Sequence, residues 1–231
     1  LVGHGHTGKT ALVDAIAQHC KLTTRLGTTA DGTSLGDTEP EERDRKQTLV
    51  AHLFRMPLGE VRLNLFDTPG HPDFVADTIA AIDVVETVVL VVSAQQPLTF
   101  HARQLWQAAG AAGVGRAIVV THLDQERTSF ESVLDELRKA FGHAVVPVTY
   151  PNGAGRTFTA VHMVTNDEGP KATQYHDMIE EDEAEVDDTL MEHYLSTGHL
   201  DPNEFEQNLR RAVARGKRVP GFTICPQRGL G

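Results

Sequence analysis

The sequence predicts an α/β fold, a mainly parallel sheet covered by helices on both faces, from three observations. Continuous apolar strands, "TVVLVVSA" (87–94) and "AIVVTHLD" (117–124), alternate with helical stretches, as in sheets buried on both sides by crossover helices. A glycine-rich turn, Gly3 to Thr10, opens straight into a helix, the arrangement in which a helix N-terminus receives an anion. The composition, 231 residues at 40% hydrophobic and 23% charged, is that of one large domain or of a domain carrying an insert.

The elements follow in order. "KTALVDAIAQHC" (9–20) has helical spacing. Residues 24–47 are polar and read as a long mobile loop, with the glutamates of "EPEER" (39–43) as solvated charge. "TLVAHLFRM" (48–56) and "EVRLNLFDT" (60–68) are strands joined by "PLG" as a hairpin at the sheet edge. "FVADTIAAID" (74–83), "TFHARQLWQAAGAAG" (99–113) and "SFESVLDELRKAFG" (129–142) are helices, the last with apolar i, i+3, i+4 spacing. The regular pattern breaks near residue 150. Residues 150–200 are therefore expected to form an inserted subdomain between a core of 1–149 and a returning segment of 201–231. Within the insert, "IEEDEAEVDD" (179–188) reads as a solvated helix face or helix start. "NEFEQNLRRAVARG" (203–216) is a helix and "RVPGFTIC" (218–225) a last strand rejoining the sheet. The opening "LVGHG" leaves a short first strand, and the final "QRGLG" is turn-like; both read as a piece of a longer protein.

A net charge of −11 argues against a broad nucleic-acid-binding face while leaving room for a local RNA contact. Two cysteines, Cys20 and Cys225, do not make a disulfide framework; they fit a reducing, cytoplasmic setting as small buried apolar residues. No run approaches the ~20 apolar residues of a membrane helix, and no signal-peptide pattern opens the chain.

The chemistry is concentrated in three places. Gly3-His4-Gly5-His6-Thr7-Gly8-Lys9-Thr10 fits G-x-x-x-x-G-K-[ST]. The backbone of His4 to Gly8 can wrap a phosphate, Lys9 reaches the β and γ phosphates, and the Thr10 hydroxyl ligates Mg²⁺. A zinc reading of His4 and His6 lacks further Cys or His at motif spacing for the ~four ligands required. Asp67-Thr68-Pro69-Gly70-His71 follows a strand. There Asp67 can hold Mg²⁺ through water, Gly70 can turn its N–H toward a γ-phosphate, and His71 is placed to orient an attacking water. Asp124 ends the buried strand "AIVVTHLD".

These motifs, in this order, resemble the GTP-binding domain of translational GTPases, specifically elongation factor G and its paralogues. "DTPGHPDF" (67–74) carries the resemblance, and "DDTLMEHYLSTGHLDPNEFEQNLRRAVARGKRVP" (187–220) resembles the end of that domain, so nearly the whole chain is covered. The resemblance implies a P-loop GTPase fold and Mg²⁺-dependent hydrolysis of GTP to GDP and phosphate. It also implies stimulation by the ribosome through a local rRNA contact, and a cytoplasmic, monomeric protein without a membrane segment. Lys9 and His71 are its expected catalytic residues. Residues 24–47 become the first switch, and Thr48 a Mg²⁺ ligand beside Thr10 and Asp67; Lys46 stands where the family carries glycine. Gly5 and His6 stand where many members have an apolar residue and an aspartate. The base motif Asn-Lys-x-Asp appears as Thr121-His122-Leu123-Asp124. Asp124 accepts from guanine, Thr121 holds part of the asparagine's bonds, and His122 stacks on the base. A second base loop of Gly-Ser-Ala type aligns with Pro226-Gln227-Arg228. GTP and GDP are expected to bind with reduced affinity. Two alternatives stand beside this reading: a nucleotide-binding regulatory paralogue without turnover, and an ATPase or kinase of the same fold, against which Asp124 and "DTPGH" argue.

Overall fold

The computed structural model describes residues 1–165, 171–184 and 202–231. The element order is α1 (Lys9–His19), α2 (Pro40–Arg45), β1 (His52–Leu58), β2 (Val61–Asp67), α3 (Val75–Ile82), β3 (Thr87–Ser93), α4 (Phe100–Ala111), β4 (Gly115–Thr121), α5 (Phe130–Phe141), β5 (Val145–Pro147), β6 (Thr149–Asn152), β7 (Ala160–Met163), α6 (Ala172–Ala184), α7 (Pro202–Ala214) and β8 (Val219–Thr223).

The central sheet is parallel in the order β3-β4-β8-β5. Leu1 and Val2 extend it: Val2 pairs with β3 through Val2 N to Val89 O (2.9 Å) and Val91 N to Val2 O (2.8 Å), and the Leu1 nitrogen donates to Phe66 O of β2 (2.6 Å). The hairpin β1–β2 thus lies beside this first segment, antiparallel within itself. The unbroken apolar run of β3 and β4 is explained by burial on both faces. Leu90, Val92, Ile118 and Val120 face the core shared with α4 and α5, whereas Val91 and Val119 face Val13 and Ala17 of α1 and Met56 and Leu65 of the hairpin. Each such valine contributes on the order of 1.5–3 kcal/mol through burial. The strands end in register, Ser93 opposite Thr121, so the polar residues after β3 and β4 emerge side by side.

Two expectations about charge are corrected. The 24–47 segment contains α2, and Glu42 within it is fully buried rather than solvated. Its carboxylate accepts from Leu49 N (2.8 Å), Val50 N (3.4 Å) and Glu39 N (3.3 Å), and meets His52 Nε2 at 2.9 Å. A carboxylate tolerates burial when donors surround it, and here the donors are the backbone leading out of Thr48. Burial pulls the Glu42 pKa up, but the N–H of Leu49, the His52 ring and the N–H of Glu39 outweigh it and hold it below the usual glutamate value. Replacing Glu42 by alanine is expected to lower the unfolding free energy by about 2 kcal/mol, read as a lower urea midpoint at unchanged slope. An unchanged midpoint would show that these bonds add nothing.

The acidic run is the second correction. Glu180 and Asp182 of α6 are buried. Arg138 of α5 grips Asp182 with both guanidinium nitrogens (2.8 and 3.0 Å), and Arg218 donates to the Asp182 carbonyl. The run therefore ties α6 to α5 and to the approach to β8. Residues 185–188 of the run, and residues 187–201 of the tail quoted above, lie outside the described residues. Tyr150, Phe158, Tyr175, Ile179 and Phe205 share one core with β3 and β4, so the part of the 150–200 segment that is described packs on the parent sheet.

Candidate functional site

One cleft runs across the C-terminal ends of β4 and β8, between α1, the 46–48 segment and the turn after β2. It gathers His4, Gly5, His6, Gly8, Lys9, Thr10, Thr48, Gly70, His71, Thr121, His122, Asp124, Pro226 and Gln227. Thr7 and Asp67 lie beneath the surface and support it.

The loop from Gly3 to Gly8 leads into α1. Gly8, the N-cap, takes φ 87°, and His6 takes φ 59°, left-handed values that curl the loop. Among the described residues, the N–H groups of Gly5, His6, Thr7 and Gly8 have no backbone carbonyl partner. Together with the positive end of α1 they form a cradle for an anion. The buried Lys9 ammonium donates to the carbonyls of Gly3 (3.0 Å) and His4 (2.9 Å). Burial pulls it down to about 8, against the opposing pull of Asp67. Gly70 packs against this end, and a methyl group there would collide with Lys9 Nζ and the backbone of Gly5.

Thr10 donates to Asp67 Oδ2 (2.7 Å) and its hydroxyl lies 3.1 Å from that of Thr48. Asp67 Oδ1 is buried with no partner, and burial raises the pKa of that carboxyl against the pull of Lys9 and Thr10. Three oxygen side chains with an unpaired buried carboxylate oxygen suit a hard divalent cation, so these residues fit Mg²⁺. Lys46 reaches this region in a left-handed conformation, φ 52°, the geometry that glycine would adopt without steric cost.

Asp37, just before α2, is also buried, with both carboxylate oxygens unpartnered. Burial, then Glu42, Asp14 and Asp67, push it up to about 6, against Arg43. Because the folded carboxyl holds its proton more tightly than the unfolded one, its contribution to stability is full below about pH 4 and lost as pH rises to about 6. The urea midpoint of the parent chain should therefore fall relative to that of Asp37→Asn over this window; parallel pH profiles would refute the assignment.

His71 stands at the edge of the cleft, tied to its own turn. Its ring is half exposed, Nδ1 accepts from Asp73 N (3.3 Å) and sits 3.5 Å from the Asp73 carboxylate.

At the other end, the Thr121 hydroxyl reaches two carbonyls, Thr7 O (2.7 Å) and Val92 O (3.1 Å), so the short side chain links the phosphate loop to β3. His122 takes φ 59° and meets Ser93 Oγ through Nδ1 (3.0 Å). Burial lowers its pKa against the pull of Asp124, which favours a flat, neutral ring. Asp124 faces Cys225, whose thiol is pushed up by burial and then by the Asp124 charge, and which bonds to that carboxylate. Cys225 lines the cleft, a role that sequence reading missed by treating it as a small apolar residue. Its signal was its place at the end of the last strand. In the turn after it, the amides of Cys225, Arg228, Gly229 and Leu230 bond within the turn and proline has none. Gln227 keeps the one N–H of residues 225–230 without a backbone partner.

Compared with known proteins, residues 1–221 match the family model described as the elongation factor Tu GTP binding domain. An elongation factor G-like protein of Mycobacterium tuberculosis H37Rv is 29% identical, over 100% of this chain and 34% of that protein. An elongation factor G-like protein of Thermotoga maritima is 28% identical, over 100% of this chain and 35% of that protein. A crystal structure from Thermus thermophilus aligns with a TM-score of 0.88 at 25% identity, over 100% of this chain and 37% of that one. The chain spans about a third of the length of the curated relatives it matches.

Proposed function

Because this chain belongs to the elongation factor Tu GTP-binding domain family, we propose that it is the guanine-nucleotide switch of an elongation factor G-like protein and hydrolyses GTP on the ribosome. The observation that carries the reading is the pairing, in one cleft, of a phosphate cradle and oxygen cluster at one end with Asp124 at the other. The cradle of Gly5 to Gly8 holds the β-phosphate, and Lys9 exchanges its carbonyl partners for β and γ oxygens. Asp124 accepts from guanine's ring N–H and amine, the free N–H of Gln227 faces the base oxygen, and His122 covers the ring. Thr10, Thr48 and Asp67 hold Mg²⁺, which when bound neutralises the charge gathering on the phosphates. His71 turns inward from Asp73 to orient the attacking water. Residues 150–200 form an insert to the 1–149 core, closed by 201–231, and the protein acts as a monomer in the cytoplasm. Among the described residues no helix is long and apolar enough to cross a membrane.

Titrating GTP, GDP and ATP tests this. Both guanine nucleotides should bind and ATP should not, because adenine leaves the Asp124 carboxylate unpaired; equal affinity for ATP would sink the reading. A second reading, a regulatory paralogue that binds without turnover, is favoured by the exchanged base residues Thr121 and His122. Hydrolysis that stays at background with ribosomes present would select it.

A further inference from the structure

We propose that His4, at the cleft wall, and the buried His101 behind it form an imidazole pair that distinguishes a nucleoside triphosphate from a diphosphate by taking up one proton from solvent when the third phosphate enters the Lys9 end of the cleft. The inference rests on the nucleotide reading above and adds to it a residue, His101, that none of the motifs contains.

His4 lines the cleft within the phosphate loop, and its carbonyl holds the Lys9 ammonium. His101 is the second residue of α4 and lies behind it, 4% exposed. The rings meet edge to face, 6.1 Å between centroids and 70° between planes. His4 Nδ1 and both ring nitrogens of His101 are buried without a hydrogen-bond partner. Buried polar atoms are nearly always paired, so three orphans in one contact call for a function.

The surrounding charge says which. Lys9, His6 and His71 act on His4, and His4, Lys9 and His71 act on His101; no carboxylate is among them. Such surroundings repel a cation and favour an anion. Burial first, and these neighbours after it, lower both imidazole pKa values, so the pair is neutral while the Lys9 end carries no phosphate. A third phosphate brings negative charge to that end and favours the imidazolium form. Only one proton enters, because two adjacent imidazolium ions repel each other. His101 does not line the cleft, so it acts through His4 as a positioning residue, setting how readily the pair charges. A diphosphate brings only its β-phosphate to this end, adds less negative charge beside the pair and so charges it less than a triphosphate does. Preference for the triphosphate therefore grows as pH falls.

Calorimetry on the full chain with GDP and with the non-hydrolysable βγ-imido analogue of GTP, in buffers of different ionisation enthalpy, counts the protons. The analogue should take up about 0.5–1 proton more than GDP near pH 6.5, and the analogue-to-GDP affinity ratio should rise by up to about tenfold between pH 8 and pH 6. His101→Phe, which fills the space without titrating, and His101→Gln, which bonds without titrating, should both lose the extra proton and flatten the ratio. The single tryptophan, Trp106 on the same helix, reports whether each variant is folded. Equal proton uptake for the two nucleotides in the parent chain, a ratio flat between pH 6 and 8, or uptake unchanged in a folded His101 variant would overturn the proposal. Failure of the parent chain to bind either guanine nucleotide would overturn the nucleotide reading and this inference with it.

Discussion

Exchanging His71 for alanine is expected to lower ribosome-stimulated GTP hydrolysis by about 10²–10⁴-fold, the range associated with a positioned acid–base group, while GTP and GDP affinities stay within about twofold. The structure supplies the reason for the split. The ring is half exposed and its contacts are to Asp73 and Phe74, neighbours in the same turn. Such an exposed pair is worth about 0–1 kcal/mol, so removing it leaves the phosphate cradle, Lys9 and the Thr10–Asp67 contact intact. The same weakness lets a partner turn the ring inward at little cost. Stimulated turnover and nucleotide affinity, measured side by side, check this. If affinity falls as far as turnover, His71 belongs to the binding machinery and the role given to it here is wrong.

Asp124→Asn should weaken GTP binding by about 10–10²-fold. Guanine presents two donors to the carboxylate, and a hydrogen bond to a charged group contributes about 1.5–3 kcal/mol. A carboxamide can accept only one of these donors and turns its own NH₂ toward the other. The same change should raise affinity for xanthosine triphosphate, whose base offers a carbonyl where guanine has its amine. Cys225 stays beside the side chain in either case, so the change is confined to the base end. Competition binding with the two nucleotides reads both directions. Unchanged GTP affinity, or a loss shared equally by ATP and GTP, would remove Asp124 from base recognition.

Much of the fold and of the glycine-rich end of the cleft was legible because it is local. The G-x-x-x-x-G-K-[ST] run works through its own backbone and the helix that follows it, and a continuous apolar run such as β4 can only be a strand or helix buried on all sides. "DTPGH" likewise lies next to the strand that delivers it. Less was legible wherever a residue's environment comes from far along the chain. Thr121 sits 114 residues from the carbonyl it binds in the phosphate loop, and nothing in "THLD" says that a hydroxyl reaches it. Glu42 and Asp182 looked like solvated charge because patterning counts charges without seeing which donors fold over them.

The sequence by itself determined the α/β class, the glycine-rich loop that opens into α1, the place of Asp67 and His71 after their strand, and the presence of Asp124 after β4, since each depends on residue type and short-range spacing. Only the tertiary structure decided that Thr10, Asp67 and Thr48 touch, that Cys225 stands against Asp124, that His71 meets Asp73 and that His101 lies behind His4. Those facts depend on burial and on contacts between separate elements, and burial sets both the pKa of a side chain and the partners it needs. A chain pattern carries no record of either.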